Sequence, residues 1–187
     1  MKKLLIGLAG RARSGKTTAA KHLACTHNLQ TYAFADPLRE GLISIFNLSQ
    51  RDFDDERKEQ PIGWLGRSAR ELMQSMGTEW GRNQVHPELW LLLAEQNLRF
   101  LEQTNTAASG FVISDLRFEN EAAFVREKGG LVIHLLRESA PDVNPHISET
   151  GIAIHDNDFV VHNDESIEQM TGQLDEIFNA LRARAAA

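Results

Sequence analysis

The sequence predicts an α/β fold: a five-stranded parallel sheet flanked by helices in three layers. Short apolar runs alternate with helical segments along the whole chain. The runs are nearly continuous rather than alternating, as in strands covered on both faces. The first of them ends in a glycine-rich turn that leads straight into a helix.

Lys3 to Leu8 is the first strand, and a helix follows from Gly15 to Cys25. Two lysines precede this opening run as in a secretory leader, but the run is short and Arg11, Arg13 and Lys16 follow at once, so it reads as a buried strand. Thr31 to Ala35 is the second strand, closed by Asp36-Pro37, where proline is suited to begin the helix Leu38 to Phe46. Ser49 to Glu59 mixes both signs of charge and reads as a solvated connection. Helices are expected over Arg67 to Met76 and, after Pro87, over Glu88 to Gln103, the latter with Leu89, Leu92, Leu93, Leu98 and Leu101 on its apolar side. Phe111 to Asp115 is the third strand, and the helix Asn120 to Lys128 stops at Gly129-Gly130. Leu131 to Leu136 and Phe159 to His162 complete the sheet, and Glu165 to Arg184 is a final amphipathic helix. Right-handed crossovers between parallel strands then gather ligands at the strands' carboxyl ends.

A chain of 187 residues suits one domain over 1–187, with a helical part near 38–105 and a short lid near 138–152. The formal net charge of −6 gives no general attraction to polymeric nucleic acid or anionic membranes. The single cysteine, Cys25, permits neither an internal disulfide nor a cysteine-built zinc site; it points to a reducing cytoplasm and to a place in the core. Trp80 is likewise expected in the core. No apolar stretch is long enough to span a bilayer. Homodimerisation is compatible with this composition.

Gly10-Arg11-Ala12-Arg13-Ser14-Gly15-Lys16-Thr17 matches G-x-x-x-x-G-K-[ST] without a mismatch, between a strand and a helix. The glycines let backbone amides wrap a phosphate. Lys16 reaches the outer phosphates of ATP, the Thr17 hydroxyl suits Mg²⁺, and Ser14 and Thr18 belong to the same cradle. Arg13 is positioned to neutralise a transferred phosphoryl group, whereas Arg11 reads as surface. Asp115, at the end of a strand, suits the magnesium shell, and Arg117 two residues later faces the same sheet edge. Arg70, Gln74 and Thr78 fall four apart and share a helical face able to hold a phosphate and read a base edge, with Arg82 nearby.

Beyond that loop, four blocks resemble the deoxynucleoside monophosphate kinases of bacteriophages: Phe34-Ala35-Asp36-Pro37-Leu38-Arg39, Arg70 to Arg82, Ile113 to Glu121, and His146-Ile147-Ser148-Glu149. Their order spans nearly the whole chain. The resemblance implies a P-loop kinase fold and transfer of the γ-phosphoryl group of ATP to a nucleoside monophosphate, most consistent with a deoxynucleotide. It implies that Asp36 and Arg39 meet the acceptor, that Arg117 contacts substrate phosphate, that Arg137 stands at the edge of the lid with His146 and Glu149 inside it to meet the substrate, and that Asn163 lies beside the adenine. Other readings remain open: kinase action on another small acceptor, or nucleotide binding without turnover.

Overall fold

The computed structural model describes residues 3–138 and 152–186. The strands are β1 (Leu4–Ala9), β2 (Leu29–Tyr32), β3 (Gly110–Leu116), β4 (Leu131–Leu136) and β5 (Phe159–His162). They form one sheet in the order β2-β3-β1-β4-β5. Every pairing is parallel, as the continuous apolar runs predict.

The helices are α1 (Lys16–His27), α2 (Asp36–Phe46), α3 (Ala69–Gln74), α4 (Leu89–Thr104), α5 (Glu119–Glu127) and α6 (Ile167–Ala186). By contact the chain divides into two compact units, residues 1–33 with 102–187, and residues 34–101.

The first unit has three layers. Ile6 and Leu8 of β1, Val112 of β3, Ile133 and Leu135 of β4 and Val161 of β5 pack with Ala19, Ala20 and Leu23 of α1 and Met170, Leu174 and Phe178 of α6. Side chains alternate across each strand, so Gly7 faces the other way, where α5 supplies Val125. The core is thus built on both faces of a central sheet, and the edge strands β2 and β5 are shorter than the three between them.

On the α5 face a buried ionic knot ties together segments distant in sequence. Asp158, whose side chain is 2% exposed, takes two hydrogen bonds from Arg126, at 3.1 Å from Nε and 2.6 Å from Nη2. It also accepts from the His155 amide at 3.0 Å, and His134 Nε2 lies 3.0 Å away. Arg126 reaches Glu119 at 2.7 Å and the Ala153 carbonyl at 3.1 Å. Burial pushes the Asp158 carboxyl up, but the hydrogen bonds from Arg126, the His155 amide and His134 outweigh it and hold it down at about 2.

The second unit is helical. The helix expected to stop at Met76 instead runs from α3 into a π-helical stretch over Ser75–Val85. Trp90 explains part of that geometry, because its indole N–H donates to the Gly77 carbonyl at 2.8 Å inside the unit. Gly77 and Gly81 are buried against Leu38 and the Trp90 ring, where an added Cβ would come within 2.9 and 2.8 Å.

Several expectations are corrected. The second strand covers Leu29–Tyr32 rather than running on to Ala35, because the chain turns before α2. The inward face of α4 is Trp90, Leu91, Ala94 and Leu98, while Leu92 is 48% exposed, so the helix is rotated by about one residue from the predicted face. Cys25 is exposed on α1, and Trp80 is 45% exposed. Among the described residues no helix is long and apolar enough to cross a membrane.

Candidate active site

The loop between β1 and α1 lies at the carboxyl edge of the sheet. Gly10 has φ 147° and Gly15, which caps α1, has φ 102°, both in the left-handed region that side chains resist. A Cβ at Gly10 would come within 2.5 Å of the Leu135 carbonyl, and one at Gly15 within 2.4 Å of Asn163 Nδ2. Glycine is therefore favoured at both ends of the loop for a torsional reason, and at Gly10 for a steric one as well, because the clash there is with backbone.

Lys16 Nζ donates to the carbonyls of Gly10 and Arg11, each at 2.7 Å, so its ammonium is held over the loop. Ser14 Oγ is buried and has no hydrogen-bond partner among the described residues. That orphaned hydroxyl, the cradle that a Cβ would fill and the positive end of the α1 first turn fit a polyphosphate. Thr17 and Thr18 are exposed in that first turn, and Arg13 is exposed with φ 63°, a torsion costly for a residue other than glycine. Arg11 is exposed, as expected.

Asn163, which the resemblance sets beside the adenine, also makes a contact with the phosphate loop that no local pattern signals. Its Nδ2 donates to the Ser14 carbonyl at 2.9 Å, and its own amide donates to Leu136 at 2.9 Å. The turn after β5 thus braces the phosphate loop directly.

Asp115 is half-buried near the end of β3, and Arg117 is exposed just beyond it. The β1–β3 register slips there: Gly7 pairs with Ile113, but Ala9 pairs with Leu116, so β3 carries an extra residue at Ser114–Asp115. Such a bulge re-aims side chains beside functional sites. Glu121 secures the following turn, since its buried carboxylate accepts from the amides of Arg117 at 2.8 Å and Phe118 at 3.2 Å. Arg137 is exposed immediately after β4. Lys16, Ser14, Asp115, Arg117, Arg137 and Asn163 therefore all stand at or just beyond the carboxyl ends of the strands, at one edge of the sheet.

In the helical unit, Asp36 opens α2 and accepts from Arg39 Nη1 at 2.8 Å, so it is an ion-pair partner rather than a side-chain helix cap. Arg39 lies over the Phe53 ring, 5.9 Å from its centroid. Arg70, Gln74, Thr78 and Arg82 are all half-buried, whereas Glu71, Ser75 and Glu79 are exposed, so the polar residues spaced by four do form a stripe. Arg70 Nε donates to the Glu59 carboxylate. His146 and Glu149 lie outside the described residues.

Comparison with known proteins places this geometry in a family. The model of the deoxynucleotide monophosphate kinase family matches residues 64–174. A protein of Acanthamoeba polyphaga mimivirus, provisionally named a deoxynucleotide monophosphate kinase, is 35% identical over 182 residues, covering 91% of this chain and 94% of its own. The deoxynucleotide monophosphate kinase of Enterobacteria phage T4 is 32% identical over 107 residues, covering 57% of this chain but only 44% of the phage protein. Among solved structures, one from Chloroflexus aurantiacus, provisionally described as a kinase, superposes with a TM-score of 0.51 at 11% identity over 97% of both chains, which speaks to the fold alone. The match over more than half of the chain, together with a relative aligned nearly end to end, makes this chain a member of the deoxynucleotide monophosphate kinase family.

Proposed function

We propose that this protein transfers the γ-phosphoryl group of ATP to a deoxynucleoside monophosphate, giving ADP and the deoxynucleoside diphosphate. The observation that carries the reading is the phosphate cradle, in which two left-handed glycines, a buried orphaned hydroxyl and Lys16 converge. Family membership supplies the acceptor class.

In this reading Gly10, Ser14, Gly15, Lys16, Thr17 and Thr18 hold the phosphates of ATP. On binding, the Lys16 ammonium exchanges two carbonyl contacts for phosphate oxygens. Thr17 and Asp115 would hold Mg²⁺, which would neutralise charge on the phosphates. Arg13, Arg117 and Arg137 balance the charge spread over the equatorial oxygens as the group passes. An acceptor phosphate oxygen, already anionic, attacks the γ-phosphorus in line while the bond to the β-bridging oxygen breaks, so no strong general base is required. Arg70 and Arg82 suit the acceptor phosphate, Gln74 and Thr78 its base, and Asp36 and Arg39 its sugar or phosphate. Residues 138–152 serve as the lid, His146 and Glu149 included, and exclude water. Asn163 acts on the donor side through the Ser14 carbonyl.

A panel of ribo- and deoxynucleoside monophosphates assayed for ADP formation tests the proposal. The expected result is turnover that depends on a deoxynucleoside monophosphate; ADP formation that ignores the acceptor, or prefers a sugar or coenzyme precursor, would overturn it. Within the same panel, Gln74→Ala is expected to reorder the bases while leaving the KM for ATP within about twofold, since an amide reads a base edge by hydrogen bonds worth roughly 1 kcal/mol each. A uniform loss across all bases would remove Gln74 from base recognition.

A further inference from the structure

A second cluster of ligating side chains lies in the sheet-bearing unit, at the opposite end of α1 from the phosphate loop. His22 and His27 of α1 both direct Nε2 at a single oxygen of Asp175 on α6, each at 2.7 Å. The three ligand atoms lie within 4.8 Å of one another. The His27 ring is held in place, stacked on Phe178 with centroids 3.8 Å apart and an interplanar angle of 19°. The His22 ring stands edge-on to it at 87°. His27 is 10% exposed, His22 21% and Asp175 36%, so the cluster is sheltered on one side and open on the other.

We propose that His22 Nε2, His27 Nε2 and the Asp175 carboxylate form a binding site for a divalent transition-metal ion of the zinc class. Two imidazole nitrogens and one carboxylate oxygen with an open fourth position suit that class and its tetrahedral geometry. Metal–ligand bonds of about 2.0–2.1 Å separate tetrahedral ligands by about 3.4 Å, so the carboxylate must retreat by roughly 0.7 Å from each nitrogen. Its partial exposure leaves it room to do so.

Each neutral ring gives up its Nε2 proton to the ion's place and carries one on Nδ1. For His22 that proton meets Thr26 Oγ1, 3.4 Å away, the outer-shell acceptor that fixes the tautomer. Neither histidine nor Asp175 has a role in the proposed phosphoryl transfer, so the site stands independently of it. An ion there cross-links the carboxyl end of α1, the helix that begins with Lys16, to α6.

Co²⁺ is a spectroscopic probe of such a site, added to tag-free full-length protein carrying Cys25→Ser so that the only thiol is gone. One equivalent should produce a visible absorption band of low-symmetry Co²⁺ that Zn²⁺ displaces and Mg²⁺ does not, and His22→Asn and Asp175→Asn should abolish it with their circular dichroism unchanged. Should a variant misfold, the unsubstituted protein decides: among its seven histidines, the first equivalent of Zn²⁺ should shift the ring nitrogens of His22 and His27 alone in long-range ¹H–¹⁵N spectra. A Co²⁺ band that survives His22→Asn, absence of binding, or first movement at any other histidine overturns the proposal.

Discussion

Lys16→Ala is expected to lower turnover at least about 10³-fold while the protein stays folded, the larger of the two activity effects foreseen here. The ammonium sits on the loop carbonyls of Gly10 and Arg11 at 2.7 Å, half-buried and outside the apolar core, so its loss creates no cavity. The stability change should stay within about 1 kcal/mol, as for other positions away from packed interiors. Chemistry loses far more, because a fixed cation beside the transferred group stabilises charge that develops in the transition state. Steady-state ADP formation with saturating acceptor measures the first quantity, and urea denaturation the second. Turnover within tenfold of the parent, in a variant with an unchanged denaturation midpoint, would remove Lys16 from the reaction.

The largest expected effect on stability belongs to Asp158. Asp158→Ala leaves Arg126, 19% exposed, and His134, 4% exposed, without their shared acceptor, and breaking a buried pair from one side costs about 3–5 kcal/mol. The pH dependence has a definite sign. The carboxyl is lowered from 3.8 to about 2 in the folded chain, so its ionisation favours folding, and that contribution is complete above 3.8 and fades as pH falls toward 2. The shift corresponds to about 2 kcal/mol. In denaturant titrations the stability gap between the parent and Asp158→Asn should therefore narrow across that acid window and hold steady above it. A gap that stays constant down to the acid limit would mean that the knot is held by shape rather than by charge.

These two predictions differ in how far the residues announced them. Lys16 is named by a local pattern, since eight consecutive residues between a strand and a helix specify the cradle. Asp158 carries no pattern at all: its side-chain partners His134 and Arg126 lie 24 and 32 positions away. Only the packing of α5 and β4 against the turn before β5 brings them together. Asn163 belongs to the second kind as well, because its contact with Ser14 crosses 149 positions.

The amino-acid sequence determined the strand-helix alternation, the parallel sheet, the phosphate cradle and the half-buried stripe from Arg70 to Arg82. Each of these follows from periodicity, glycine torsion or residue spacing, which act over a turn or two of chain. Tertiary structure alone decided the π-helical run through Ser75–Val85, where the Trp90 indole takes a hydrogen bond position on the Gly77 carbonyl. It also decided the bulge that turns Asp115, the rotation of α4 that exposes Leu92, and the meeting of His22, His27 and Asp175. All of these depend on which surfaces meet, and a residue's own neighbours in the chain carry no record of groups that reach it only through space.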